Sequence, residues 1–401
     1  MATDRFIQVH SLTSYPAALL NRDDAGLAKR IPFGGAIRTR ISSQCLKRHW
    51  RTVEDAQGLK NYADGQGSVR SRLSFERHVC QPLIGKDGVD AAVARAVTEA
   101  MMALVLGESA KAKAAKKKQA EGDAETEPGI ESNQVTVLGR PELEFLRDEA
   151  REICAHLRDP KAADEAVKKH FTPKRKENLR ALKLGAGLDA AMFGRMVTGD
   201  VLARVDAALH VAHAFTVHAE QSESDYFSAV DDLRQEGPEA ELGAGHINSS
   251  ELTSGLYYGY VVIDVPGLTR NLGDDRALAA EVTRRMVHLV ATVSPGAKLG
   301  STAPHAYAHL MLVEAASAQP RTLANAFLKP VPSAPDLVAN AYQALSRHLG
   351  ELDGAYGRNT RQALALGPAD HLAPVLTDGE RARSLAELAN WTAARIQEQP
   401  Q

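Results

Sequence analysis

The first 60 residues show apolar positions with strand spacing and then with helix spacing. Residues 6–12 (FIQVHSL) are mostly apolar and predict a short strand. Residues 36–41 alternate, with Ile37 at the start of an apolar face and Arg38 and Arg40 on the other face. We therefore predict a half-buried strand that presents arginines.

A helix is predicted to follow from Gln44, because Ser42 or Ser43 can cap it by accepting a backbone N–H of its first turn. At about 100° per residue, Leu46 and Trp50 fall on an apolar stripe, and the polar residues fall on another arc. That polar arc holds Gln44, Lys47, Arg48 and Arg51. Free N–H groups and the positive end of the helix dipole lie at the same end, and these are conditions for holding a phosphate.

The rest of the chain divides into a helical block and a return to strands. The block contains helical patterns at 91–106 and 142–157, with a low-complexity Lys, Glu and Ala segment at 111–134 between them. After Leu188 the patterns are a helix or long strand at 200–218, strands at 255–265 and 307–313, and helices at 275–293 and 384–397. This order predicts an α+β core with a helical insertion.

The composition supports a folded protein, and the charge is unevenly distributed. The 401 residues are 44% hydrophobic, and the net charge of −2 would argue against nucleic acid only if it were evenly spread. Residues 22–51 carry eight basic and two acidic groups, for +6, and residues 168–183 carry seven and one, again for +6. Residues 219–251 carry nine acids and one arginine, for −8. Two basic segments and one acidic segment favour a partner surface.

We infer the expected cellular compartment of the protein from features that are absent from the sequence. We find no apolar run of about 18 residues and no secretory pattern at the N-terminus, so we expect no membrane partner. The three cysteines are widely spaced and form no Cys-x-x-Cys pair, which is typical of free thiols in a reducing cytoplasm.

The sequence contains no motif of a familiar enzyme class, and we predict no catalytic site, cofactor or metal. His210 and His213 are three residues apart, but the nearby acids complete no ligand pattern. Asp23 and Asp24 could serve acid–base chemistry or could be loop carboxylates that cap a turn. The adjacent aromatic residues 226–227 could anchor an acidic segment to a core, which composition favours, or stack on bases.

Several sequence blocks together resemble the CasC-type backbone subunit of the type I-E CRISPR Cascade, a member of the RAMP superfamily. The most specific blocks are Arg40-Ile-Ser-Ser-Gln-Cys-Leu-Lys-Arg and Asp225-Tyr-Phe-Ser-Ala-Val-Asp-Asp-Leu. The others are Asn21-Arg-Asp-Asp, Phe33-Gly-Gly, Phe193-Gly-Arg-Met, Ala212-His-Ala-Phe-Thr-Val-His and Ser294-Pro-Gly-Ala-Lys. They follow in the family's order over most of residues 1–330.

This resemblance implies a ferredoxin-like, RRM-type palm with an inserted helical finger domain and a β-hairpin thumb. The palm would take residues 1–58 and 188–401, the finger 59–187, and the thumb about 217–253. Copies of the chain would stack along a CRISPR RNA (crRNA), present it to a target DNA strand and join other Cascade subunits. Subunits of this kind bind RNA and leave cleavage to other components.

The resemblance also places RNA contacts on individual residues. The family's palm contacts match Arg22, Ser42, Gln44, Lys47 and Arg51, and its Gly-rich loop lysine matches Lys298. Met196 matches a methionine that packs against bases, and Tyr226 and Phe227 match a thumb Trp-Phe pair. Lys29, Arg40 and Arg48 join these candidates as neighbouring cations of the basic segment.

Two alternatives and one further hypothesis accompany this interpretation. The chain could be an RNA-cleaving member of the superfamily that uses Asp23 or Asp24, or a globular protein whose basic segments are solvated faces. Because a segment of −8 cannot clamp phosphates, we expect the acidic thumb to dock on a basic region of an adjacent copy, with residues 168–183 as the candidate.

Overall fold

The computed structural model describes residues 4–62, 67–107, 129–182, 185–195, 201–202, 204–229 and 246–397. The chain forms two compact units. The first, called the sheet unit, takes residues 1–53, 210–265 and 280–401, and the second, called the helical unit, takes residues 54–209 and 266–279. For comparison, the sequence places these divisions at 58/59 and 187/188.

The described residues contain eleven strands and twelve α-helices. The strands are β1 Phe6–Ala18, β2 Arg30–Phe33, β3 Ala36–Ile41, β4 Ser68–Ser71, β5 Thr136–Gly139, β6 Leu209–Val211, β7 Ala214–Thr216, β8 Ser222–Ala229, β9 His246–Asp264, β10 Leu310–Ala316 and β11 Thr360–Ala365. The helices are α1 Ser43–Thr52, α2 Gln81–Gly85, α3 Ala91–Leu106, α4 Arg140–His156, α5 Ala163–His170, α6 Pro173–Arg180, α7 Leu188–Phe193, α8 Val265–Asn271, α9 Arg276–Thr292, α10 Leu299–Thr302, α11 Leu337–Tyr356 and α12 Leu385–Gln397. In this part of the chain no helix has the length and apolar character needed to cross a membrane.

The sheet unit is built on one antiparallel sheet with the strand order β11-β10-β1-β9-β7-β3-β2. In the chain, α1 lies between β1 and β7, and α9 lies between β9 and β10. The four central strands therefore follow a β-α-β-β-α-β succession, which is compatible with a ferredoxin-like palm. The fold class is α+β, as predicted.

Both faces of this sheet are covered. Leu46 and Trp50 of α1 line a common interior space with Tyr257 and Val261 of β9. On the other face, Tyr342 of α11 belongs to one apolar cluster with residues of β1, β9 and β10. The helix predicted from Gln44 is confirmed as α1, and its predicted apolar stripe supplies the two side chains that pack on the sheet.

The prediction for β3 is wrong at two positions. Arg38 has no exposed surface, whereas 46% of Ile37 is exposed. Ile37 pairs with Pro32 of the edge strand β2, and Pro32 is also exposed. The Arg38 guanidinium points inward and donates hydrogen bonds to main-chain carbonyls, so this arginine stabilises the fold instead of facing a ligand.

A tight turn of two glycines joins β2 to β3. Gly34 and Gly35 have φ angles of +60° and +78°, which favour glycine and suit a two-residue hairpin. A Cβ on Gly34 would lie 1.5 Å from the carbonyl oxygen of Leu328. The turn therefore requires glycine for close approach as well as for its backbone angles.

The predicted β-hairpin is present. Residues 222–229 of β8 pair with residues 246–253 of β9, from Ser222 opposite Thr253 to Ala229 opposite His246. β9 continues from this hairpin into the centre of the sheet, where it pairs with β1. One long strand therefore connects the hairpin to the sheet.

The helical unit contains α2 to α7 around an apolar core that includes Phe75, Met101 and Leu146. The predicted helices at 91–106 and 142–157 are confirmed as α3 and α4. Most of the low-complexity segment, residues 111–128, lies outside the described residues. The carboxylate of Glu142 and the guanidinium of Arg195 form an ion pair of 2.5 Å that is almost completely buried.

Candidate nucleic-acid interface

Four hydrogen bonds bring distant segments of the sheet unit to residues 19–22, which directly follow β1. They run from Ala297 N–H to the Leu19 carbonyl oxygen (2.9 Å), from the Cys45 thiol to the Leu20 carbonyl oxygen (3.9 Å), from Ser42 N–H to Asn21 Oδ1 (2.9 Å) and from Lys29 N–H to the Asn21 carbonyl oxygen (2.9 Å). We call residues 19–22 the hub segment.

The hub segment gathers predicted RNA-binding residues that are far apart in the sequence. Arg22 belongs to it, is exposed, and bridges to Ala28. Ser42 and Lys29 bond to it directly, and Lys298 follows the residue that bonds to Leu19. The structure therefore places these four candidate positions around one short segment.

Helix α1 begins beside the hub segment. The Ser42 hydroxyl accepts the Cys45 N–H at 3.3 Å, which confirms the predicted cap, and only 8% of Ser42 is exposed. One acceptor site of this hydroxyl is therefore used by the helix, and its O–H group can still donate. The first turn contains no acid, and Gln44 and Arg48 are exposed, while Lys47 and Arg51 are partly buried. This helix end combines backbone donors with Lys47 of the following turn and suits a phosphate oxygen, whereas Arg51 lies in the last turn of α1.

Arg40 lies next to this helix end, on β3. Its backbone N–H donates to the Lys29 carbonyl oxygen at 2.7 Å, and its Nε donates to the Arg30 carbonyl oxygen at 3.1 Å. Its Nη1 lies 3.0 Å from Nδ1 of His213. These bonds hold the guanidinium beside Lys29, so two of the predicted cations are adjacent.

The neighbouring arginine, Arg30, has a different role that the sequence did not indicate. Its guanidinium contacts the carboxylates of Glu220, which precedes β8, and Glu251, which lies on β9. The second carboxylate also accepts the Ala28 N–H at 2.6 Å. Arg30 therefore ties both strands of the hairpin base to β2, and two acids of the −8 segment are neutralised within the chain.

The hairpin carries one of the two predicted aromatic contacts on its surface. Tyr226 stands opposite Ser249, and 65% of it is exposed. Composition favoured anchoring of this aromatic residue to a core. That expectation is wrong for Tyr226, because its position on the hairpin leaves its side chain outside the core. Phe227 lies next to it on β8, and Met196 lies outside the described residues.

A family model described as CT1975-like protein matches residues 7–391. The chain belongs to the CT1975-like protein family. No curated protein matches this CT1975-like chain.

Solved structures are similar to this CT1975-like chain over nearly its whole length. A chain titled "CRISPR RNA-guided surveillance complex, pre-nicking" is 25% identical, has a TM-score of 0.79, and the match covers 98% of this chain and 100% of that one. A chain titled "CRISPR RNA-guided surveillance complex" is 21% identical with a TM-score of 0.69, and the match covers 97% and 99% of the two chains. The second likeness concerns the fold alone.

The two acids of the RNA-cleaving alternative lie in the turn that follows the hub segment of this CT1975-like chain. Asp23 Oδ1 accepts the Leu27 N–H at 2.9 Å, and the Asp23 N–H donates to the Leu27 carbonyl oxygen at 2.8 Å. Asp23 thus closes a loop, as a turn carboxylate does. Asp24 is exposed next to it.

The second basic segment, 168–183, is less available for docking than its charge indicates. Arg175 Nη1 contacts the Glu149 carboxylate, lies 3.0 Å from Glu152 Oε2 and lies 2.8 Å from His170 Nε2. Glu149, Glu152 and His170 also form a candidate metal site, because in the described part of the chain their potential ligand atoms lie close enough together to share a metal ion. The Arg175 guanidinium already contacts all three of these side chains, so we assign no metal to this cluster.

Proposed function

We propose that this chain is a non-catalytic crRNA-binding backbone subunit of a type I-E Cascade surveillance complex. The observation that carries the proposal is the gathering of Arg22, Lys29, Lys298 and the start of α1 around the hub segment. The family and the likeness to a surveillance-complex chain over 98% of this one support it. Crowded cations at a helix N-terminus are the chemistry that holds a phosphate backbone.

The proposed mechanism separates positioning from sequence reading. Cations and backbone N–H groups contact phosphates, which carry no base information, so the subunit holds any guide RNA. Specificity then comes from base pairing between the guide and a target DNA strand. Copies of the chain would follow one another along the RNA, together with other Cascade subunits.

The hairpin supplies the second half of the proposed mechanism. Tyr226 offers an exposed aromatic face on β8, and bases stack on such faces irrespective of their sequence. The remaining acids of the hairpin repel phosphates, so we propose that it acts as a wedge and as a contact to the adjacent copy. The exposed lysines Lys168, Lys169 and Lys174 of the helical unit remain candidates for that contact.

The RNA-cleaving alternative is tested separately. Asp23 is occupied by the turn, which favours the non-catalytic proposal, and Asp24 is the stronger candidate of the pair. The chain assembled on its guide is incubated with a complementary RNA. We expect intact RNA. Regularly spaced cuts that disappear with Asp24→Ala would replace the non-catalytic proposal with the enzyme.

The phosphate contacts are tested through the salt dependence of RNA binding. Each phosphate contact to a single strand contributes about 0.7 to the slope of log K against log salt, so the double variant Lys47→Gln/Arg51→Gln should flatten it by about 1.4. The affinity should fall equally for guides of different sequence. A loss that depends on the guide sequence would contradict phosphate contact.

A matched control removes the same number of charges elsewhere in the sheet unit. Arg347 and Arg383 are exposed, and Arg347 lies on α11, which covers the sheet face opposite α1. Arg347→Gln/Arg383→Gln should leave the salt slope unchanged. An equal flattening in both double variants would indicate nonspecific charge attraction instead of a site at α1.

A further inference from the structure

An exposed histidine stands beside the two adjacent cations of the candidate interface. His213 lies in the short connection between β6 and β7. Its Nδ1 lies 3.0 Å from Nη1 of Arg40. The strand pairing of Arg40 with Phe215 keeps this connection beside β3.

The chemistry of this contact fixes the state of the ring. A guanidinium carries only donors, so Arg40 donates and His213 Nδ1 must accept. The ring is therefore neutral, with its proton on Nε2. A second bond, from Arg40 Nε to the Arg30 carbonyl oxygen at 3.1 Å, completes the orientation of the guanidinium. His213 thus acts as a support for Arg40 in the free protein.

The surroundings of the ring favour its neutral form. Partial burial lowers the pKa of His213, and the charges of Arg40 on β3 and Lys29 before β2 lower it further. The other titratable groups nearby point elsewhere, because the Arg30 guanidinium is paired with Glu220 and Glu251. The charged groups that act on the ring in the described part of the chain are therefore cations.

We propose that His213 is a further RNA-contact residue that becomes a third cation, beside Lys29 and Arg40, by taking up a proton when an RNA phosphate binds. The inference rests on the proposed function. The phosphate supplies the negative charge that the site lacks, and a negative charge within about 4–6 Å favours a protonated histidine. Once protonated, Nδ1 becomes a donor, so the ring and Arg40 both turn their N–H groups to the phosphate oxygens.

The consequence is a proton-linked affinity. Each RNA phosphate that binds at this position removes one proton from the solvent and places it on His213. By linkage, the affinity rises as the pH falls through the range in which free His213 is neutral and bound His213 is charged, by at most about tenfold per pH unit per proton. A lysine or arginine contact has no such dependence near neutral pH.

The test measures the affinity of the full chain for a single-stranded RNA of mixed sequence between pH 6 and pH 8 at constant ionic strength. We expect tighter binding at the acid end for the wild type and for the control His210→Gln. His213→Gln should bind more weakly there and lose most of the pH dependence. His213→Arg should bind tightly at every pH, since its charge is permanent, which also shows that the site tolerates substitution.

The outcomes separate this inference from the proposed function. Parallel pH profiles for the wild type, His213→Gln and His213→Arg would overturn the proton link while leaving RNA binding intact. An absence of RNA binding by the wild type at every pH would overturn both.

Discussion

Arg38 provides a sharp test of how the sheet unit is held together. It has no exposed surface, and its guanidinium donates to the carbonyl oxygens of Phe33 (3.3 Å), Thr216 (2.9 Å) and Phe327 (2.9 Å). Burial lowers the pKa of Arg38. One side chain therefore connects β2, β7 and the segment that follows β10.

Arg38→Met keeps most of the side-chain volume and removes these three hydrogen bonds together with a longer one from Nη2 to the Leu328 carbonyl oxygen (3.4 Å). At a net value of about 1 kcal/mol for each of the three shorter bonds, the free energy of unfolding should fall by about 3 kcal/mol. Urea unfolding followed by circular dichroism measures this change. With a slope of about 3 kcal/mol/M, the midpoint should fall by about 1 M.

Arg40→Met is the matched control on the same strand. Arg40 is only partly buried, so its loss should lower the unfolding midpoint much less than the loss of Arg38. RNA binding should show the reverse order. Under conditions in which both variants are folded, Arg40→Met should bind RNA more weakly than Arg38→Met. An Arg38→Met midpoint equal to that of the wild type would refute the role of this arginine as an internal cross-link.

Three further predictions concern charged groups inside the chain. Arg30→Gln should speed amide hydrogen exchange at 222–229 and 246–253, because the base of the hairpin loses the contacts of Arg30 with Glu220 and Glu251. Arg30→Lys should restore part of the protection. Equal exchange in the wild type and both variants would refute this role of Arg30. Buried Glu314 should stabilise the fold above about pH 4.5 and lose this effect towards pH 2. Burial alone would raise its pKa, but its contacts with His10, Arg321 and Arg361 lower it to about 2, so Glu314→Gln should flatten the acid side of a stability profile. Glu142→Gln should lower the free energy of unfolding by about 3–5 kcal/mol in a urea titration, because it removes the negative charge that balances a buried guanidinium, and a loss below 1 kcal/mol would count against that pair.

Local patterns in the sequence predicted the local structure well. Helix α1, its cap at Ser42 and its apolar stripe all depend on residues within one or two helical turns. Helix α3 follows the same logic, from its periodic apolar positions. Such features need no knowledge of the rest of the chain.

Features that depend on distant partners could not be predicted in this way. The burial of Arg38 requires carbonyl oxygens of Thr216 and Phe327, which are more than a hundred residues away in the chain. Arg30 counts as part of a basic segment in the sequence, but its partners Glu220 and Glu251 lie in the acidic segment. Formal charge counts therefore overstated the charge that both segments offer to a partner.

The candidate site was predictable in its residues and unpredictable in its geometry. The helical periodicity identified Lys47 and Arg51 on one arc, and a family resemblance added Arg22 and Lys298. The hydrogen bonds to the hub segment supply the reason that Arg22, Lys29 and Ser42 lie together, with Lys298 next to the bonded Ala297. The sequence drew attention to His213 only as part of a histidine pair and of a resembling block, and its contact with Arg40 could not be predicted because it depends on the pairing of β3 with β7.

The central claim is that copies of this chain assemble on a guide RNA. Electron microscopy of the protein purified with a guide RNA tests it most directly. We expect a regular repeat of copies along the RNA, lost when RNA is omitted. Isolated single copies that contain no RNA, at concentrations where the RNA is in excess, would contradict it.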